Sequence, residues 1–326
     1  MKKPVTLAIL ALSAALGAQA QSFPSKNISI VVPFAAGGPT DRVARDLADA
    51  LRKPLGATIV IENAAGAGST IGTAKVARAA PDGYTLLLTH IGMASAPALY
   101  RKLAYKPLED FEYLGIVNDV PMTLIGKPQL PATTYRDFEN YIKANAGKLN
   151  LAHAGLGSAS HLCGLMWQHA LKLNTAMTTV PFGGTAPAMT ALMGGQVDVM
   201  CDQTTNTTSQ IEGKKVKAYA VTTTKRLTTP ALKDLPTLAE SGLKDFNVTI
   251  WHGVYAPKGT PADVLKKLNQ AIKAALKDPE FIKKQEGLGA VVATDKRIEP
   301  AEHKKFVQSE IDKWGAVIKA AGSYAD

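Results

Sequence analysis

Four glycine-bearing junctions are the stretches of this sequence best equipped for chemistry. They are Phe34-Ala35-Ala36-Gly37-Gly38-Pro39-Thr40-Asp41, Gly66-Ala67-Gly68-Ser69, Gly155-Leu156-Gly157-Ser158 and Phe182-Gly183-Gly184. Each follows a strand-like run and precedes a helical pattern. A helix N-terminus offers unpaired backbone N–H groups and the positive end of the helix dipole. Glycine just before it lets an anion approach that backbone closely. The hydroxyls of Thr40, Ser69, Ser158 and Ser160 add donors. Four such ends together suit one or two carboxylates without any arginine or lysine, by the logic of helix-end phosphate sites. A single glycine junction is an ordinary turn; the repetition, most copies carrying hydroxyls, points to binding.

Other chemistries fit less well. Gly66, Gly68 and Gly72 are one residue too widely spaced for the dinucleotide fingerprint, and no lysine follows Gly38 as a phosphate loop requires. Gly157-Ser158-Ala159-Ser160 lacks the second glycine of a nucleophile elbow. His153, His161 and His169 recur every eight residues with the first on a strand, so neither a shared metal nor any cofactor is expected. His161, in a first helical turn, contacts ligand or caps locally; His252, beside Trp251, lines a cleft or fills the core. Asp41 reads as a helix cap before it reads as a base. Asp202 ends a strand where a cleft residue can take a ligand ammonium or hydroxyl, and Thr89 ends another. Cys163 and Cys201 form a disulfide or remain two buried thiols; the short paired spacings of a zinc site are absent.

The elements that must position these residues alternate strand and helix, which predicts an α/β architecture with parallel sheet. Strands are predicted at 28–34, 58–61, 84–89, 149–154, 178–181, 196–201, 216–221 and 248–256. Val43, Leu47 and Leu51 repeat every four residues and predict a helix from about Thr40 that Pro54 and Gly56 end. A helix over 134–146 is capped by Thr133 or Thr134, and long helices are predicted over 261–277 and 300–321. The Val32–Gly38 junction resembles Val180–Gly184, and Gly66–Ser69 resembles Gly155–Ser158, which suggests two similar lobes facing each other.

Length supports the same division, since 326 residues exceed one ordinary core. Lys2 and Lys3, an apolar run to Gly17 and Ala18-Gln19-Ala20 read as an export signal cut after Ala20, and hence a periplasmic protein. No cysteine follows that point to carry a lipid, and no later run is apolar enough to span a bilayer. A formal charge of +10 favours anionic ligands in general, yet no basic stripe interleaved with aromatics suggests nucleic acid.

In order along the chain, Val31-Val32-Pro33-Phe34-Ala35-Ala36-Gly37-Gly38-Pro39-Thr40-Asp41, Glu62-Asn63-Ala64-Ala65-Gly66-Ala67-Gly68, Pro81-Asp82-Gly83-Tyr84-Thr85, Gly157-Ser158-Ala159-Ser160-His161-Leu162, Gly194-Gly195-Gln196-Val197-Asp198 and Ala256-Pro257-Lys258-Gly259-Thr260-Pro261 resemble the substrate-binding component of tripartite tricarboxylate transporters, the Bug family. The resemblance spans nearly the whole chain after the export signal. It implies a two-lobed periplasmic binding protein fold with the ligand cleft between lobes, residues 21–122 and 249–326 forming one lobe and 123–248 the other. It implies a monomer that is not an enzyme and that binds a small carboxylate for the membrane subunits of such a transporter. The expected ligand-binding set is Phe34, Ala36, Gly37, Gly38, Thr40, Asp41, Gly68, Ser69, Thr89, Gly157, Ser158, Ser160, His161, Phe182, Gly183, Asp202 and His252. Two departures stand out. Phe182-Gly183 replaces the Tyr-Lys pair common in relatives, and Cys201 stands where Phe is common. Both suggest a roomier, more apolar pocket and an aromatic dicarboxylate such as terephthalate. The competing functions are an exported α/β hydrolase or transferase, and a ligand-dependent partner of a membrane sensor kinase.

Overall fold

The structure, a computed structural model, describes residues 23–321. The export signal and its cleavage point after Ala20 lie outside the described residues. Among the described residues no helix is long and apolar enough to cross a membrane.

Two runs rich in β-branched residues and one of leucines between threonines form β1 (Ile28–Val32), β2 (Ile59–Asn63) and β3 (Thr85–Thr89), parallel in the order β2-β1-β3. Between β1 and β2 runs α1 (Pro39–Leu55), which buries Val43, Leu47 and Leu51 on one face. Burying each such side chain contributes roughly 1.5–3 kcal/mol. The helix stops at Gly56, whose φ of 64° lets its N–H return to the Arg52 carbonyl. A single 3-10 turn and α2 (Thr70–Ala77) link β2 to β3, and α3 (Gly92–Leu99) follows. β9 (Thr249–Pro257) joins β3 antiparallel, and β4 (Phe111–Gly126) joins β9 antiparallel, with the two-residue β10 (Val291–Val292) beside β4. The helices α8 (Ala262–Ala275), α9 (Pro279–Gly287) and α10 (Pro300–Ala321) return to this sheet.

A second sheet holds β5 (Asn150–His153), parallel to β6 (Thr178–Pro181) on one side and to β7 (Val199–Gln203) on the other. β7 and β8 (Lys217–Val221) both pair antiparallel with the far end of β4. Its helices are α4 (Tyr135–Asn145), α5 (Ala159–Ala170), α6 (Thr185–Met193) and α7 (Thr204–Glu212). Thr134 and Asp137 close α4 with a reciprocal capping box.

The sheets are therefore mixed, not purely parallel. The reason is β4, one strand of 16 residues shared by both. Pro121 lies opposite Thr249 of β9, and the next residue, Met122, lies opposite Gln203 of β7. The strand changes partners between these two residues.

In the second sheet's core, Phe138 stacks on Trp167 and Tyr219, with ring centroids 5.3 and 3.9 Å apart. Cys163 of α5 and Cys201 of β7 are joined by a disulfide, with their Cα atoms 6.0 Å apart and neither residue exposed. The smaller Cys201 thus opens no space for a ligand. Phe182 is partly buried and packs against the core cluster around Leu192 and Met200. Of the two residues that suggested a roomier aromatic pocket, Cys201 is accounted for by the disulfide.

Candidate functional site

The glycine junctions of the two sheets meet face to face. The Ala35 N–H donates to the Gly183 carbonyl at 3.2 Å. The Ser95 hydroxyl donates to the Gly157 carbonyl at 2.8 Å, and the Tyr100 hydroxyl to the Leu156 carbonyl at 3.3 Å. Gly68 and Leu156 are packed so tightly that a Cβ on Gly68 would lie 1.9 Å from the Leu156 oxygen. These contacts close the two sheets on each other.

Behind them lies a narrow cavity of about 10 Å³, room for about one water molecule in this closed arrangement, lined by Phe34, Pro39, Thr40, His90, Ala154, Ser158, Ala159, Ser160, Thr185 and Gln203. Its walls are mostly helix beginnings. Pro39 and Thr40 open α1, Ser158 caps and Ala159 and Ser160 open α5, Thr185 opens α6, and Gln203 caps α7. Four helix N-termini, one from the first sheet's side and three from the second's, therefore point their dipoles at one space. No lysine or arginine lines it among the described residues.

The side chains in the wall are tuned as neutral donors and acceptors. His90 stacks on Phe34 with centroids 4.6 Å apart. Burial pushes its imidazole down to about 3, so it stays neutral. Its Nδ1 accepts the Gly92 N–H at 3.3 Å, which leaves the ring proton on Nε2 as a donor. Ser160 Oγ accepts the Ala154 N–H at 2.9 Å, and Ser158 Oγ accepts the His161 N–H. The two hydroxyls lie 3.2 Å apart, so one donates to the other and one proton remains for a guest.

Of the residues expected from sequence, Phe34, Thr40, Ser158 and Ser160 line the cavity. Ala36 and Gly37 sit exposed at its rim, Gly183 is exposed opposite them, and Gly38 is buried just before α1. Gly37 and Gly157 do not offer their amides to a ligand. The Gly37 N–H donates to the Asp41 carboxylate at 2.9 Å, and the Gly157 N–H to His161 Nδ1 at 3.2 Å. Asp41 is a local cap tied also to Arg45 and Asn63. Burial raises its carboxyl, but the bonds from Arg45, Gly37 and Asn63 outweigh that and hold it below the usual range. Gly68 serves the contact with Leu156, Ser69 and Thr89 are buried with unpartnered hydroxyls outside the lining, and Phe182 is partly buried outside the lining.

His161 does not face the cavity either. It lies against His153 and lines a separate open groove with Leu162, Met166 and Phe246. Burial, with His153 nearby, pushes it down to about 4. Asp202 is wholly buried beside the cavity, accepting from Asn206 at 2.5 Å, with its other oxygen unpartnered. Burial pushes its carboxyl up to about 7. His252 stands behind Thr40, 3.4 Å from its hydroxyl. The lining residues His90, Thr185 and Gln203 escape the sequence reading, although each sits at a strand end or directly after a glycine. Among the described residues no cluster of three His, Cys, Asp or Glu is placed to hold a metal ion.

Comparison with known proteins shows the family. The profile described as the tripartite tricarboxylate transporter family receptor matches residues 43–323. A UPF0065 protein from the TAR-I ttuE-ttuC' intergenic region of Agrobacterium vitis is 48% identical over 306 residues, covering 94% of this chain and 87% of that relative. The solved periplasmic binding protein BugD is 51% identical with a TM-score of 0.90, over 93% of this chain and all of BugD. MatC from Rhodopseudomonas palustris, solved with bound malate, is 41% identical with a TM-score of 0.85, over 91% of this chain and all of MatC. The chain belongs to the tripartite tricarboxylate transporter receptor family, a family of periplasmic binding proteins and not of enzymes.

Proposed function

We propose that this protein captures a small aliphatic carboxylate between its two sheets in the periplasm and delivers it to the membrane subunits of a tripartite tricarboxylate transporter. The observation that carries this reading is the convergence of four helix N-termini on one narrow space with no cation in its wall among the described residues. Helix-end amides and dipoles compensate a carboxylate without the cost of burying a second full charge. The malate bound by MatC supports a small aliphatic acid. The two lobes are residues 21–122 with 249–326, and residues 123–248. A ligand docks on one set of helix ends and then bridges to the other; that bridging is the differential affinity that favours the closed form.

Titration calorimetry with malate, citrate, glutamate, benzoate and terephthalate tests the proposal. Binding of at least one aliphatic acid is the expected result. A folded protein that binds none of these acids overturns the proposal. One observation favours a second reading: the stacked pair of Phe34 and His90 gives the cavity an aromatic wall, which suits terephthalate. Exclusive binding of terephthalate decides for it.

A further inference from the structure

A chain of buried side chains runs from the outer face of α1 to the cavity, and its direction is fixed at one end. Asp46 lies 3.2 Å from Arg42 and 3.7 Å from Lys284, and a carboxylate paired with cations only accepts hydrogen bonds. Gln285 Nε2 donates to it at 2.8 Å, so the Gln285 oxygen must face inward. That oxygen accepts from Asn118 Nδ2 at 2.7 Å, which leaves Asn118 Oδ1 as an acceptor. His252 Nδ1 lies 2.9 Å from Asn118 Oδ1 and must carry the ring proton. Burial, with His90 nearby, holds His252 well below the usual imidazole range, so the ring has no second proton. Its Nε2 is therefore an acceptor, and the hydroxyl 3.4 Å away on Thr40 spends its single proton there. Thr40 turns only lone pairs toward the cavity. On the facing wall, Gln203 Oε1 is a second buried acceptor without a partner. A carboxylate satisfies neither; a hydroxyl on the ligand, with its one proton, satisfies one of them, and Thr40 is the one at the α1 helix end.

From this relay we infer that Thr40 is a specificity-determining residue that accepts a hydrogen bond from a ligand hydroxyl, so that the site selects a 2-hydroxy carboxylate over the same acid without the hydroxyl. The inference rests on the carboxylate reading above. Thr40 is the second residue of α1, so the hydroxyl it meets lies next to the carboxylate held by that helix end. His252 and Asn118 act through Thr40 as positioning residues.

The test is calorimetry on the purified protein with malate and tartrate against succinate, which lacks the hydroxyl. Leaving a buried acceptor unpaired should weaken succinate roughly tenfold or more relative to the better hydroxy acid. In Thr40→Ser that ratio persists, and in Thr40→Val it collapses to within about twofold. Asn118→Leu frees His252 to turn and also lowers the ratio. A wild-type protein that binds all three acids equally overturns the hydroxyl inference and leaves the carboxylate reading standing. One that binds terephthalate but none of the three overturns it as well. Binding of no carboxylate removes the underlying reading. Because the wild-type comparison is decisive by itself, poor folding of any variant does not blunt the test.

Discussion

Ser95 Oγ donates to the Gly157 carbonyl at 2.8 Å and so ties α3 of the first sheet to the loop that opens α5 of the second. Both residues are buried in this contact, Ser95 completely. Ser95→Ala removes the donor and leaves the carbonyl unpaired when the sheets meet, a cost of about 1 kcal/mol. That cost falls on the closed form only. Apparent ligand affinity is expected to drop about fivefold, and small-angle scattering should report a larger radius of gyration in the absence of ligand. Unchanged affinity would show that this contact does not help hold the sheets together.

Gly68→Ala is the steric counterpart. Gly68 has φ of +58°, and an added Cβ would lie 1.9 Å from the Leu156 oxygen and 3.0 Å from its carbon. The obstacle is backbone from the opposite sheet, so rotamer changes cannot relieve it. The left-handed conformation itself costs an alanine only roughly 1–2 kcal/mol. The variant should fold, with an ordinary circular dichroism spectrum, and lose ligand affinity at least ~30-fold because closing is blocked. Tight binding by this variant would mean that the ligand-bound form differs from the arrangement described.

Asp202 gives a pH signature. Burial pushes its carboxyl from 3.8 to about 7, against opposing bonds from Asn206 and the Gln203 backbone. Between those values the folded chain keeps a proton that the unfolded chain has released. This group's contribution to stability therefore falls as pH rises through that window and returns as pH falls. Asp202→Asn abolishes the effect. Its melting temperature should exceed that of the wild type by several degrees at pH 8, on the order of 2–4 kcal/mol, with the gap shrinking progressively as pH is lowered toward 4. Parallel melting curves with no pH-dependent gap would contradict the assignment.

The bond between Cys163 and Cys201 closes a loop of 38 residues. Loop entropy alone values such a bond at about 4 kcal/mol. Replacing both cysteines by alanine, or reducing the native bond under mild denaturant, should lower the urea midpoint accordingly. The replaced protein should also bind more weakly, because the bond anchors α5, whose first turn forms part of the cavity wall. Equal midpoints with and without reductant would show that packing around Trp167 already holds α5 in place.

What was legible in the sequence was what is local. The repeat of Val43, Leu47 and Leu51 marks a helix whatever surrounds it, and glycine before a helix start marks a helix end able to hold an anion. β4 was not legible as one long strand. It carries Gly115, Asn118, Asp119 and Pro121, it bulges between Tyr113 and Gly115, and it is covered on both faces over most of its length, so no alternation survives. α7 was missed because four of its first five residues are threonine, a weak helix former. Its cap, Gln203, was missed with it. Phe182 shows a third limit. A loop residue has no periodicity that says how deeply its ring sits, and here the ring is partly buried against the cluster around Leu192 and Met200. Nothing in sequence order shows that Asp41 and His161 reach back to the amides of Gly37 and Gly157.

The handover of β4 at Pro121 bears on how the molecule moves. Proline has no N–H, so the backbone surrenders no ladder bond from that residue's nitrogen when the strand twists there. One neighbour releases the strand at this point and another takes it up at Met122. Under the proposed division the chain passes between the halves at two neighbouring places, next to Pro121 and at Thr249 opposite it, so parting the walls of the cavity calls for torsion at both, with each sheet left intact on its own side.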